Sequence, residues 1–94
     1  MPIIYNFPPR LITPTGTYTT TNDGGITIYT YRVSVTESST TARTYTYNYT
    51  FKDNVTNIPL DKSFTITIPA GSVFATKTEG GTPGIITNIR VTPS

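Results

Sequence analysis

The chain contains no cysteine, no histidine and no tryptophan in 94 residues. Without cysteine there is no disulfide to restrain the unfolded chain and no thiolate to hold a metal. Without histidine, the commonest general base and imidazole ligand are gone as well. Charge is sparse, with seven Lys/Arg against five Asp/Glu. The five carboxylates (Asp23, Glu37, Asp53, Asp61 and Glu79) lie in stretches that read as turns and loops, where a solvated carboxylate is the default. Acid–base catalysis by paired carboxylates needs two of them across a cleft in unequal environments. The spacing offers no such pair, so neither catalysis nor a cofactor or metal is expected.

The basic residues Arg10, Arg32, Arg43, Lys52, Lys62, Lys77 and Arg90 are also scattered singly. Nucleic-acid binders gather such residues, because affinity comes from several phosphates neutralised together. The net charge of +2 therefore reflects a shortage of both signs and argues against a nucleic-acid partner. Long apolar runs are missing too. No stretch approaches the roughly 18 residues of a membrane span. The start, Met1-Pro2-Ile3-Ile4-Tyr5-Asn6, has neither the basic nor the apolar region of a secretory signal. The expectation is a soluble chain, made in the cytoplasm, with no membrane partner. A disulfide-free domain this small also favours a reducing compartment or assembly into something larger.

Helix formers are few: two Leu, three Ala, two Glu, one Met and no Gln. In their place stand 22 threonines and seven tyrosines, residues suited to a pleated, half-buried surface. The composition is that of a β protein.

Residues 1–14 hold four of the eight prolines, interspersed with Ile3, Ile4, Tyr5, Phe7, Leu11 and Ile12. Proline removes ladder donors and biases its neighbours to extended backbone. This segment reads as an extended, apolar arm. Either it is an edge strand that closes the domain's own core, or it docks on a neighbouring subunit by strand addition. Ile3, Ile4, Tyr5, Phe7, Arg10 and Leu11 are the candidate partner-binding residues. Residues 15–94 read as one domain.

Within that domain, Thr15 to Thr21 and Ile26 to Val35 flank Asn22-Asp23-Gly24-Gly25, a hairpin signal. Ile26 and Ile28 are out of phase with Tyr29, Tyr31, Val33 and Val35, which predicts a bulge or bend near Tyr29, or burial of both faces at the strand's start. Glu37 to Thr41 is a polar loop. Tyr45, Tyr47, Tyr49 and Phe51 then alternate with Thr44, Thr46, Asn48 and Thr50, so one face of that strand is a ladder of aromatic rings. The ladder is expected to cover the core; an exposed row for carbohydrate or protein is the alternative. Lys52 to Asp61 reads as a polar connection, and its oxygen-rich run from Asp53 lacks the glycine and terminal glutamate of a calcium loop. Phe64, Ile66 and Ile68 mark the next strand, Pro69 to Ser72 a turn, and Val73 to Thr78 another strand. Glu79 to Gly84 reads as an open loop and Ile85 to Thr92 as the last strand.

Six or seven short strands at about ten-residue intervals, with no helical period, indicate an all-β, antiparallel β-sandwich of immunoglobulin-like type, with a small β-barrel as the alternative. Seven Thr-X-Thr triplets follow no fixed repeat, so a threonine-laddered solenoid is not expected. A self-formed isopeptide between Lys62 or Lys77 and Asn88 would need a buried acid beside them, and none is available to nominate.

The run Phe64-Thr-Ile-Thr-Ile-Pro-Ala-Gly-Ser72, with the glycine loop and the Ile85 to Thr92 strand, resembles the closing hairpin of immunoglobulin-like modules in Bacteroidetes surface proteins and their phages. Among these the chain is most similar to the small auxiliary capsid proteins of crAss-like phages, mainly over residues 64–94. The resemblance implies a non-enzymatic structural protein of the virion, present in many copies on the capsid surface. Its partner would be the major capsid protein or another virion protein. The alternative is a carbohydrate- or receptor-binding sandwich module of a fibre or bacterial surface protein.

Overall fold

A computed structural model describes residues 13–94, so the proposed arm and its candidate residues Ile3, Ile4, Tyr5, Phe7, Arg10 and Leu11 lie outside the described part. The rest is all β. Six strands follow in order: β1 (Thr15–Asp23), β2 (Ile26–Ser34), β3 (Arg43–Asp53), β4 (Pro59–Ile68), β5 (Phe74–Gly81) and β6 (Gly84–Pro93). They form two three-stranded sheets, β1-β2-β5 and β4-β3-β6, and every pairing is antiparallel. The architecture is therefore a sandwich rather than a closed barrel. β1 lies beside β6 along one flank and β4 beside β5 along the other.

The β1–β2 hairpin turns on Gly24 and Gly25, whose φ values of 59° and 87° are those of a two-residue type I′ turn. β2 pairs without interruption from Ile26 to Ser34, so the phase change near Tyr29 is not a bulge. Instead Ile26 and Ile28 point outward, Ile26 exposed and Ile28 half-buried over the strand end at Gly80. Among the described residues the one irregular ladder is elsewhere. Asn48 faces Arg90 while Thr50 faces Thr87, so Tyr49 opposes both Asn88 and Ile89. Asn88 takes φ 54° to make this bulge, a conformation asparagine tolerates better than most side chains.

Two boundaries differ from expectation. The connection after β3 is shorter than the polar run Lys52 to Asp61, because Asp53 organises it. Its Oδ1 accepts the backbone N–H groups of Val55 (2.7 Å) and Thr56 (3.4 Å), and its carbonyl accepts from Asn57 (2.9 Å). This lets β4 start at Pro59, the first strand position, where a missing donor costs little. Gly80 and Gly81 are not loop residues either; they extend β5 and leave Thr82-Pro83 as the turn into β6.

The core is the inner faces of β2 and β3. Tyr29, Tyr31, Val33 and Val35 meet Tyr45, Tyr47 and Tyr49, with Ile66, Ile68 and Ile86 closing the sides. Tyr47 and Val33 are completely buried. The aromatic ladder is thus interior, as expected. Tyr47 sits 5.4 Å from Tyr31, 5.8 Å from Tyr49 and 5.0 Å from Phe64, centroid to centroid. Burial of tyrosine requires somewhere for the hydroxyl to go. Tyr47 donates to the Thr17 carbonyl at 3.0 Å, tying β3 of one sheet to β1 of the other, and Tyr29 donates to the carbonyl of Thr82 in the β5–β6 turn at 2.7 Å.

The outer faces are carpeted with threonine. On β1-β2-β5, Thr15, Thr17, Thr19, Thr21, Thr30, Thr76 and Thr78 point outward. On β4-β3-β6, so do Thr44, Thr46, Thr50, Thr65, Thr67, Thr87 and Thr92.

Candidate functional site

Three features of the surface bear on function: one end of the sandwich, one polar concavity, and the difference between its two flanks.

The turns β1–β2, β3–β4 and β5–β6 gather at one end, because β2 and β6 start there and β1, β3 and β5 finish there. Among the described residues, five of the seven exposed large apolar side chains are at this end: Ile26, Val55, Ile58, Leu60 and Ile85. Val55 and Ile58, at 84% and 65% exposure, stand on the β3–β4 turn. Ile26 joins Gly25, Gly80, Gly81, Thr82 and Pro83 around a shallow apolar recess. The turn is held firmly. Asn54 donates its N–H to the Pro83 carbonyl (3.0 Å), and Thr82 Oγ1 donates to Asp53 Oδ2 (2.9 Å). The hydrogen bonds that the Asp53 carboxyl accepts hold it below its ordinary range, the Val55 amide contributing most and the Thr82 hydroxyl next. Asp53 is therefore a turn-organising group. Among the described residues no group of three acidic or other ligating side chains could hold a metal. At the opposite end, Phe74 is exposed but covered by the Arg32 guanidinium, 4.4 Å above its ring.

The polar concavity lies on the outer face of β4-β3-β6, lined by Asn48, Thr50, Asp61, Ser63, Asn88 and Arg90 among others. Several of its groups are already paired. Thr50 Oγ1 donates to Asp61 Oδ1 (2.8 Å), Asn88 Nδ2 to Thr50 Oγ1 (3.4 Å), and Asn48 Nδ2 to the Arg90 carbonyl (3.3 Å). The tyrosine row expected of a carbohydrate platform is not here, since Tyr45, Tyr47 and Tyr49 point into the core. Lys62, Lys77 and Asn88, the residues considered for an isopeptide, are all exposed. An interior cross-link between them has no site.

The flanks differ in charge. On the β4/β5 flank, Lys62 opposes Tyr49, Lys77 opposes Tyr31 and Glu79 opposes Tyr29, so all three are on the inner side of their strands. Lys77 Nζ lies 4.4 Å from the centre of the Phe64 ring and Lys62 Nζ 5.4 Å from that of Phe51. Inward-pointing charges of this kind prevent a sheet edge from pairing with another chain. On the β1/β6 flank the inner positions are Gly16, Tyr18, Thr20 and Asn22 on β1, and Gly84, Ile86, Ile89, Val91 and Pro93 on β6. None is charged. The alternation of the sequence did not reveal this asymmetry, because it depends on which strands become edges.

The apolar end was also missed: Val55, Ile58 and Leu60 fall in a run that reads as polar. Compared with known family models, curated proteins and solved structures, the chain finds no match.

Proposed function

We propose that this protein is a non-enzymatic structural module of a virion, an auxiliary protein carried in many copies on the capsid surface. Its partner is the major capsid protein or another virion protein, with no part for nucleic acid or membrane. The observation that carries the reading is the apolar end of the sandwich. Monomeric proteins seldom leave a group of large aliphatic side chains at one site, and protein interfaces are built around such anchors. Val55 and Ile58 are the anchors, held on a turn whose backbone Asp53 and Pro83 fix in place. Docking on a large shell also adds stability by mass action, which a small, disulfide-free domain can use.

The rival reading, a carbohydrate-binding module, loses its platform because the tyrosine row is interior. It retains only the polar concavity, where the hydroxyl of Thr50 and the amides of Asn48 and Asn88 are already engaged.

The test is sedimentation of the purified chain with purified particles, in parallel with Val55→Asp/Ile58→Asp. Both side chains are exposed, so that variant keeps its fold. The expected result is co-sedimentation of the natural chain at fixed stoichiometry and its loss in the variant. A natural chain that stays out of the particle pellet overturns the reading, and a variant that binds as well as the natural chain removes the apolar end as the docking surface.

A further inference from the structure

We infer that the recess between the two sheets on the β4/β5 flank is a binding site for a small zwitterion, one that carries a quaternary ammonium group beside an anionic group. The inference goes beyond the assembly reading and does not depend on it.

The recess exists because both edge strands are underfilled near the β5–β6 turn. On β5 the inner side ends in Glu79, opposite Tyr29, and Gly81, opposite Thr27. On β4 the inner residue opposite Tyr49 is Lys62, where an aliphatic side chain would close the core. What remains is a space of about 130 Å³ walled by Tyr29, Tyr31, Tyr49 and Phe51, with the exposed Lys62 and Glu79 also in its lining. An apolar cavity of about 150 Å³ takes a benzene ring, and a trimethylammonium head is of similar bulk. A few polar groups around an apolar hollow are the usual make-up of a ligand site.

The strand glycines point to the same place. Gly80 and Gly81 lie in the extended part of β5 with φ outside the positive region. A Cβ at either would meet its nearest described neighbour in ordinary contact, at 3.5 Å and 3.7 Å. Neither backbone conformation nor crowding by the described residues therefore demands glycine there. Glycine inside a strand often marks the close approach of a ligand. A side chain at Gly81, on the inner side beside Tyr29, would grow into the recess.

The chemistry of the lining selects the occupant. The Tyr29 and Phe51 rings meet at 89° with centroids 5.9 Å apart, making a corner of two aromatic walls. Tyr31 and Tyr49, 5.1 Å apart, extend the aromatic lining. Aromatic faces attract cations, and walls of this kind hold the compact head of a quaternary ammonium. An ammonium already lies against the corner, since Lys62 Nζ is 5.4 Å from the centre of the Phe51 ring. Glu79 adds a carboxylate that has no hydrogen bond or ion pair among the described residues. Its charge reaches the Tyr31 hydroxyl and opposes ionisation there. A ligand with positive charge alone would be repelled by Lys62. A zwitterion is not, because its anionic end pairs with the Lys62 ammonium while its quaternary head lies over the rings near Glu79.

The test is a titration of the isotope-labelled, full-length chain, followed by the amide resonances of Gly80, Gly81 and Thr82. The probes are glycine betaine, phosphocholine, choline and the neutral tert-butyl isostere of choline. The expected result is a saturable shift of those amides by betaine or phosphocholine, the tighter of the two showing whether the anionic group is a carboxylate or a phosphate. Choline, without the anionic group, binds more weakly. The neutral isostere binds about tenfold more weakly than the better zwitterion, and Glu79→Gln weakens that zwitterion by a similar factor. Gly81→Val, whose Cβ the structure accommodates, fills the recess and removes the shift while the rest of the spectrum stays in place. No saturable shift with either zwitterion overturns the assignment, as does an equal response to the neutral isostere. Unchanged binding by folded Gly81→Val or by Glu79→Gln does so too. The titration needs no particles, so its failure is separable from a failure to bind the capsid.

Discussion

Replacing Tyr47 by alanine tests the interior more directly than any other change. The ring is completely buried and packs against Tyr31, Tyr49 and Phe64, while its hydroxyl bonds the Thr17 carbonyl on the other sheet. Truncating a buried aromatic ring to alanine costs about 3–5 kcal/mol, according to how far the site collapses. The Thr17 carbonyl also loses its donor. Tyr47→Phe separates the two contributions, since it keeps the ring and removes only the hydrogen bond, at about 1 kcal/mol. A domain of this length has a total stability of about 5–14 kcal/mol at roughly 0.05–0.15 kcal/mol per residue. The alanine variant is therefore expected to lose between about a fifth and all of its stability. In urea, followed by far-ultraviolet circular dichroism, about 4 kcal/mol at a slope near 2 kcal/mol/M moves the midpoint by about 2 M. An alanine variant within about 1 kcal/mol of the natural protein at an unchanged slope would refute a load-carrying aromatic interior. It would return the tyrosine row to the surface as a ligand platform.

Three further outcomes follow from the same structure. Burial pushes the Tyr47 hydroxyl up to about 12 and raises Tyr29 and Tyr31 as well. A raised folded-state value means that stability is complete below the unfolded value of about 10 and is lost as pH rises from 10 towards 12, at about 1.4 kcal/mol per unit for each such group; the tyrosinate absorbance that Tyr47→Phe removes should appear together with the loss of circular dichroism in that window, and its appearance near pH 10 with the fold intact would contradict it. At Gly16 an added Cβ would lie 2.6 Å from Val91 Cγ2 and 2.9 Å from Ile89 Cγ2, so Gly16→Ala should cost about 1–3 kcal/mol in urea unfolding, and a neutral effect would mean the β1/β6 flank gives way freely. Replacing Lys62, Lys77 and Glu79 together by threonine should leave the monomer folded but make it associate through the β4/β5 flank, read as a rise in sedimentation coefficient; an unchanged monomer would show that those charges do not guard the edge.

The elements most legible in the sequence were those with strict two-residue alternation. The β3 ladder from Tyr45 to Phe51 and the β4 run Phe64, Ile66, Ile68 are set by side-chain parity alone, and both face inward as that parity requires. The β1–β2 turn was legible because Gly24 and Gly25 supply the positive φ values it needs. Where parity was broken, two causes could not be told apart. Ile26 and Ile28 suggested a bulge, yet they are simply aliphatic residues on an outer face, and the real bulge sits at Asn88, in a strand whose Ile89 and Val91 look regular. Glycine misled at Gly80 and Gly81, which are extended strand residues with φ outside the positive region. The exposed anchors Val55 and Ile58 carried no periodic signal, since a turn has none. Their significance arises only when three turns converge.

The threonine carpet has a colloidal consequence. Most proteins keep apart in solution through net charge, and so become dependent on salt and pH. Here both broad faces are hydrated mainly by neutral hydroxyls, such as Thr44 bonded to Thr67 across β3 and β4 at 2.9 Å. Two molecules lying face to face exert little long-range force on each other, repulsive or attractive. Copies can then be crowded to the spacing of a lattice without working against mutual repulsion, and dispersal of the chain should change little across a wide range of ionic strength.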